Sequence, residues 1–309
     1  MLNWDARTLQ GSKEIEWGSR NSPRWGNDLH PILFKIGSFY LPTYGVLLAL
    51  ALIAALYTVV RLGRREGMDS ARLIDFSTWL IVAALLGAKV LMIVTDWSFY
   101  RAHPGQIFSL ATLEAGGVFY GGFITATFFA IWYIRTYKLP FWKMFDIYAP
   151  AIALGQGIGR WGCFAAGDDY GKPTHSLWGV VFTNPFAHQL SGTPLGVPLY
   201  PVQLFESAVC FAIFGFLIWR YGHKRRDGEI FLLYLVLYAV ARFFLEFLRG
   251  DPDRGFVFNH LLSTSQFIAL LALLAALVVA IRWYGFPGRT AAPSVSKPTG
   301  NVGTKLHPR

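Results

Sequence analysis

Seven stretches of this chain, residues 42–60, 74–95, 117–134, 144–164, 202–219, 230–248 and 262–284, are each apolar over close to their whole length. A helix needs roughly 20 such residues to cross a bilayer. Inside hydrocarbon every backbone N–H and C=O must be satisfied by the chain itself, which leaves helices or closed barrels. Continuous apolar runs without period-2 alternation select helices. The expected fold is therefore all-α: a polytopic membrane protein with seven transmembrane helices. Composition agrees. Of 309 residues, 54% are hydrophobic and 15% charged, against about 25% charged in soluble domains. The aromatic share of 17%, with 11 Trp, suits two interfacial belts. No long polar linker divides the apolar part. The expected organisation is an extracytoplasmic N-terminal segment (1–39), one seven-span membrane domain (40–286), and a disordered cytoplasmic tail (287–309) rich in Pro, Ser, Gly and Lys. The first 30 residues hold no apolar core of a signal peptide.

The net charge of +10 could suggest nucleic acid, but its distribution does not. Basic residues concentrate in alternate loops: Arg61, Arg64, Arg65 and Arg72, then Arg135, Lys138 and Lys143, then Arg220, Lys224, Arg225 and Arg226, then the C-terminal tail. The intervening loops are poor in them. The positive-inside rule places the N-terminus outside and the C-terminus in the cytoplasm. No nucleic-acid partner is expected. Two cysteines on different apolar stretches, Cys163 and Cys210, point to no structural disulfide.

The chemistry-bearing residues are the charges inside the apolar stretches. Arg160 ends the fourth stretch, within GQGIGRWGCFAAGDDYG (155–171), and Arg242 lies deep in the sixth. A cation at such depth costs roughly 2.5–3.5 kcal/mol on insertion scales and usually faces the protein interior. The glycines around Arg160 leave room for an anionic ligand such as a lipid phosphate. The structural alternative is snorkelling, or pairing with a carboxylate such as Asp168. Arg242, Glu246 and Arg249 at i, i+4, i+7 would stack on one helix face, as a salt-bridge ladder, a phosphate cradle or both. Lys89 is a third intramembrane cation, set to neutralise Asp96 or attract a headgroup. GGVFYGG (116–122) either packs tightly or offers the Tyr120 hydroxyl where Gly116, Gly117 and Gly121 leave space. Tyr44 reads as an interfacial aromatic, and Cys163 as a small packing residue. No histidine spacing suits a metal, and no phosphate-cradling glycine loop or serine-nucleophile elbow occurs. No metal or organic cofactor is expected.

Four stretches carry a resemblance: HPILFKIGSFYLPTYG (30–45), GGVFYGG (116–122), GRWGCFAAGDDYG (159–171), and YPVQLFE (200–206) with ARFFLEFLRGDPD (241–253). In that order, on seven spans, the chain resembles the bacterial prolipoprotein diacylglyceryl transferases over about residues 30–284. The resemblance implies a seven-span enzyme of the bacterial plasma (inner) membrane. It would move the diacylglyceryl group of phosphatidylglycerol onto the lipobox cysteine thiol of prolipoprotein signal peptides, releasing glycerol 1-phosphate. Its partners would be that lipid, those signal peptides and the surrounding membrane lipids. It implies that Arg160 and Arg242 hold the phosphate, and that Tyr44, Gly171, Glu246 and Arg249 line the same cavity. The chain departs from the family pattern at Tyr120 (usually His), Cys163 (usually Asn), Asp168 (usually Glu), Lys89 (usually Arg) and Tyr200 (usually His). The usual His is the proposed base for the thiol. A phenol, which ionises near about pH 10, is a poor base at neutral pH, so either Tyr120 only orients substrate and a carboxylate or the leaving phosphate takes the proton, or the chemistry differs. The candidate catalytic residues are Arg160, Arg242 and Tyr120. The candidate substrate-binding residues are Tyr44, Lys89, Gly116, Gly117, Gly121, Cys163, Asp168, Gly171, Glu246 and Arg249. A transferase with the same donor and another acceptor, or a seven-span transporter, remains an alternative.

Overall fold

The computed structural model describes residues 26–27, 31–36, 39–109, 112, 117–251 and 255–284. The expected N-terminal segment and tail lie largely outside these, as does Gly116. Each apolar stretch forms a helix: α1 (Thr43–Arg65), α2 (Ser70–Thr95), α4 (Phe119–Thr136), α5 (Phe141–Ala166), α7 (Val202–Tyr221), α8 (Glu229–Leu245) and α9 (Thr264–Tyr284). Two short helices, α3 (Trp97–Ala102) and α6 (Pro185–Ser191), lie in loops. Five helical segments, Thr43–Arg65, Ser70–Thr95, Val202–Tyr221, Glu229–Leu248 and Thr264–Trp283, are long and apolar enough to cross a membrane. Phe119–Thr136 and Phe141–Ala166 fall outside that set, the first carrying glycines, threonines and tyrosines, the second its glycine run and Asp146, Gln156 and Arg160.

The low hydropathy of α5 has a packing reason. It is the hub of the bundle, with α1, α7 and α8 against it, so little of it meets a solvent-facing or lipid-facing surface. Met144, Ile147, Ala149, Ala151 and Ala153 are almost fully buried in the main core with Val59, Leu62, Leu73, Leu217 and Ile230. Small residues let neighbours approach. A Cβ on Gly157 would sit 2.8 Å from the Phe211 ring, and one on Gly162 would sit 3.0 Å from Tyr44 Cδ2. α2 and α4 form a second close pair. There a Cβ on Gly121 would lie 2.4 Å from the Gly87 carbonyl oxygen.

The described residues also include short strands. β1 (Gly26–Asn27) pairs parallel with β4 (Val180–Phe182), which pairs antiparallel with β5 (Pro198–Leu199). β2 (Ile32–Ile36) and β3 (Phe39–Pro42) form a hairpin leading into α1, and β6 (Phe256–Val257) pairs with β7 (Leu262–Ser263) before α9. The long loop after α5 is thus an ordered cap rather than open coil. Its own small core holds Phe164, Tyr170, Val180, Phe182 and Leu199. It covers the end of the bundle where α5 stops and α7 begins.

Candidate active site

The site starts at the C-terminus of α5. Gly167 takes a left-handed φ of 82°, and the Gly167 and Asp168 N–H groups both donate to the Cys163 carbonyl, at 2.9 and 3.1 Å. This cap swings the chain out of the helix about two turns after Arg160 and sends Asp168, Asp169 and Tyr170 back across the bundle end. Asp169 also takes a positive φ, 53°. Its carboxylate then faces two guanidiniums. Arg160 Nη1 donates to one Asp169 oxygen and Arg249 Nη2 to the other.

Glu206, on the first turns of α7, joins the two intramembrane arginines. Arg160 Nη2 lies 3.0 Å from Glu206 Oε1, and Arg242 Nη1 lies 3.8 Å from Glu206 Oε2. The Tyr238 hydroxyl donates to the same Oε1 at 3.1 Å. Arg242 Nη2 pairs with Glu246 at 3.0 Å and donates to Ser265 Oγ at 3.1 Å. Two cations from α5 and α8 therefore share one almost fully buried carboxylate from α7. A planar guanidinium fork suits a second, phosphate-shaped partner. Arg242 Nη1 is buried and makes no hydrogen bond, its ion pair with Glu206 Oε2 being long at 3.8 Å.

The expected helical ladder is half observed. Arg242 and Glu246 do pair at i, i+4. α8 ends at Leu245, however. A 3-10 turn spans Glu246–Leu248, and Arg249 is extended. Arg249 consequently leaves the helix face and pairs with Asp251, at 2.9 Å from Nε and 2.7 Å from Nη2, as well as with Asp169. Gly171 makes an antiparallel bridge with Arg249. A Cβ on Gly171 would lie 2.4 Å from the Tyr200 carbonyl oxygen, so close backbone crossing accounts for that glycine. The alternative partner for Arg160 is also corrected: it is Asp169 rather than Asp168.

Asp168 differs from its neighbour. Gln203 Nε2 donates to its backbone carbonyl at 2.5 Å, while its side-chain Oδ1 is buried with no hydrogen-bond partner. Burial, and then the Asp169 charge, push its carboxyl up to about 6. For Asp169 burial acts in the same direction, but the Arg160 and Arg249 guanidiniums outweigh it and hold that carboxyl below the usual range. Cys163 Sγ lies 3.7 Å from Arg160 Nη1. Ligand-type atoms of Cys163, Asp168 and Asp169 lie within 4.8 Å of one another. Both Asp169 oxygens are already held by guanidiniums, so the group is an ion-pair network rather than a coordination set.

A family model described as prolipoprotein diacylglyceryl transferase matches residues 31–284. The chain belongs to that family. The phosphatidylglycerol–prolipoprotein diacylglyceryl transferase of Clostridium tetani is 36% identical over 252 residues, covering 81% of this chain and 96% of the relative. The protein of Clostridium perfringens named as the second such transferase is 35% identical over 249 residues, 80% of this chain and 93% of its own. The Synechocystis transferase of the same name is 34% identical over 245 residues, 77% and 83%.

Within this family member the candidate residues separate into two groups. Arg160, Arg242, Glu246, Arg249, Cys163, Asp168 and Gly171 converge at the α5–α7–α8 end. Tyr44 joins them across Gly162, within electrostatic reach of Cys163, Asp168 and Arg160. The contacts of the others lie on or beside the α2–α4 pair. Lys89 Nζ donates to the Thr112 carbonyl at 2.5 Å, not to Asp96. Gly117, with φ 75°, packs on Ala88, and Gly121 on Gly87. Tyr120 is exposed and sits edge-on to Phe119 with ring centroids 5.8 Å apart. The sequence reading missed Glu206, Asp169, Gln203 and Tyr238. For Glu206 the signal was present: a carboxylate inside an apolar stretch needs an intramembrane partner.

Proposed function

We propose that this protein transfers the diacylglyceryl group of phosphatidylglycerol to the lipobox cysteine thiol of prolipoproteins, the first step of lipoprotein maturation. The carrying observation is the meeting of Arg160 and Arg242 on Glu206, with Arg242 Nη1 buried and without a hydrogen bond. The family and the names of its relatives supply the substrates. In this reaction a thiolate displaces a phosphate monoester from a glyceryl carbon. Negative charge grows on the leaving oxygen, and fixed cations in a low-dielectric site stabilise that change. Arg160 and Arg242 hold the phosphate. Glu206 keeps the two guanidiniums in register while no lipid is bound. Glu246 and Arg249 orient them from the far side, and Tyr44 borders the cavity from α1.

The same reading assigns seven spans, with α4 and α5 crossing alongside the five more apolar helices. It places the site end at the outer leaflet, the N-terminus outside and the C-terminus in the cytoplasm of a bacterial inner membrane. The alternation of basic loops supports that orientation. The membrane domain runs over 40–286, flanked by the 1–39 segment and the 287–309 tail.

The test is a strain depleted of its own transferase, complemented with this chain, together with mass spectrometry of a lipobox peptide incubated with phosphatidylglycerol vesicles. The expected results are rescue and a diacylglyceryl adduct on the cysteine. Consumption of phosphatidylglycerol with no peptide adduct assigns another acceptor, and no lipid turnover at all rejects the transferase reading for this chain.

A further inference from the structure

We propose that Asp168 is the group that takes the proton from the acceptor thiol. The proposal rests on the transferase reading and supplies a step that reading leaves open, since the reacting species must be a thiolate. Four observations on Asp168 and its neighbours carry it.

The first is an open oxygen. Asp168 Oδ1 is buried and has no hydrogen-bond partner, while the Cys163 thiol hydrogen-bonds the same carboxyl. Buried acceptors are nearly always bonded, so an orphan calls for an occupant. The second is a fixed backbone. The Asp168 N–H donates to the Cys163 carbonyl at 3.1 Å and Gln203 holds its carbonyl at 2.5 Å. The carboxylate is thus presented from both sides of a held residue. The third is place. Asp168 follows Arg160 by two turns of chain and shares its cluster with Asp169 and Cys163, so a phosphate on Arg160 and a thiol on Asp168 would meet at the same end of the bundle. The chain already seats a sulfur there: Cys163 Sγ, an Asp168 oxygen and an Asp169 oxygen lie within 4.8 Å of one another. The fourth is elimination among the neighbouring acids. Both oxygens of Asp169 are gripped by Arg160 and Arg249. Glu206 and Glu246 hold Arg160 and Arg242.

The titration of Asp168 suits the role. Burial, with Asp169 second, brings its carboxyl up to about 6, so it is ionised at neutral pH yet basic enough to carry a proton. Besides burial, the groups that set this value are Asp169 beside it, Cys163 and Arg160 from α5, and Arg249 beyond α8; Tyr44 of α1 lies within electrostatic reach of it. In the step, an Asp168 oxygen accepts the S–H proton. The sulfur pair forms the C–S bond while the glyceryl C–O bond breaks, and that electron pair departs on the phosphate held by Arg160 and Arg242. The proton then passes from Asp168 to the released phosphate monoester, which restores the carboxylate and balances the charge.

The experiment uses the full chain in phosphatidylglycerol nanodiscs with two lipobox peptides, one carrying cysteine and one carrying selenocysteine. A selenol is already ionised at neutral pH and needs no base. Asp168→Asn is expected to lower kcat on the cysteine peptide by about 10²–10⁴-fold while KM for phosphatidylglycerol stays within about threefold. It is also expected to lose the acid limb of the kcat/KM profile near pH 6. The selenocysteine peptide should bring Asp168→Asn back to within about tenfold of wild type and leave Arg160→Ala inactive. Asp168→Glu, which keeps the carboxylate, should recover part of the cysteine activity and guards against a folding artefact. The proposal is overturned if Asp168→Asn keeps wild-type kcat, or if selenocysteine helps it no more than it helps wild type. Wild-type protein that modifies neither peptide overturns the transferase reading itself, and the role of Asp168 with it.

Discussion

The two ends of the bundle are built from the same materials and do opposite things with them. At the end carrying the basic loops, Asp146 near the start of α5 accepts the N–H groups of Gly228 and Phe231, at 2.8 and 3.0 Å, and so caps α8. Lys224 bridges Asp146, Glu66 and Asp227 at 3.4, 2.7 and 3.0 Å, and Lys143 adds a contact to Glu66 at 3.3 Å. Arg220 pairs with Glu229, whose other oxygen accepts the Arg225 N–H at 2.7 Å. These charges are paired with one another, and the neutral Tyr221 hydroxyl beside them lies against Glu66. At the other end, Arg160, Arg242, Arg249, Glu206 and Asp169 also pair, yet Arg242 Nη1, Gln203 Oε1 and Asp168 Oδ1 are left buried without hydrogen bonds. A network that closes on itself staples helices. A network that leaves donors and acceptors open is prepared for something else to complete it.

The largest expected effect tests the open end. Arg160→Ala or Arg242→Ala should abolish rescue of a transferase-depleted strain and cut peptide lipidation by more than about 10³-fold, since each removes a fixed charge opposite the leaving phosphate. Arg→Lys at either position should recover only part, because an ammonium lacks the planar fork. Normal growth of either alanine variant as sole copy would break the contrast between the two ends.

Next comes the closed end. Asp146 is fully buried, and removing one partner of a buried ion pair typically costs about 3–5 kcal/mol. Asp146→Ala should therefore lower the thermal midpoint of the purified protein strongly. The kcat of what remains folded should not change. A kcat loss as large as that of the arginine variants, with an unchanged midpoint, would show that the staple communicates with the site.

What the sequence revealed follows the range of the forces involved. Apolar stretches are a local property, and all seven became helices, with ends shifted by a few residues: 144–164 became Phe141–Ala166 and 230–248 became Glu229–Leu245 plus a turn. The intramembrane arginines were legible because charge at depth is anomalous in one dimension. Their partners were not. Nothing near Arg160 says that Glu206, from another helix, will reach it, or that Asp169 rather than Asp168 will turn inward. That choice is made by the left-handed Gly167 and Asp169 backbone. Arg249 was misplaced for a similar reason. A periodicity argument continued the helix to it, whereas α8 ends at Leu245 and Arg249 follows a 3-10 turn with extended backbone.

Acid acts with opposite sign on one carboxyl from each end, Glu66 and Asp168. Glu66 is lowered from 4.5, where burial raises it but Lys224 and Lys143 prevail. Its contribution to stability is present above its unfolded value and is lost as pH falls below 4.5 through the folded one. Asp168 is raised from 3.8 to about 6. Its protonated form favours the fold, so its contribution is full below 3.8 and is lost as pH rises through about 6. Thermal midpoints measured from pH 7 downward should thus rise slightly as Asp168 takes its proton and then fall as Glu66 does. Asp168→Asn should remove the rise and Glu66→Gln should blunt the fall. A wild-type midpoint that falls monotonically from pH 7 would contradict the raised carboxyl.

The smallest expected effect concerns the α2–α4 pair, which the sequence reading joined to the site through Tyr120. That side chain is exposed and packs on Phe119 of its own helix, while the glycines flanking it are used up in contact with Ala88 and Gly87. If Asp168 receives the thiol proton, the phenol has no proton to move. Tyr120→Phe then keeps the ring, deletes the hydroxyl alone, and should leave kcat on the cysteine peptide within about threefold, the range of a single exposed hydrogen-bonding group worth about 0.5 kcal/mol. A loss near 10²-fold would instead bring this helix pair over the arginines during turnover and return Tyr120 to the reacting thiol. The selenocysteine peptide distinguishes the two roles available to it. A Tyr120→Phe defect that selenium repairs belongs to proton removal, and one that persists with selenium belongs to substrate orientation.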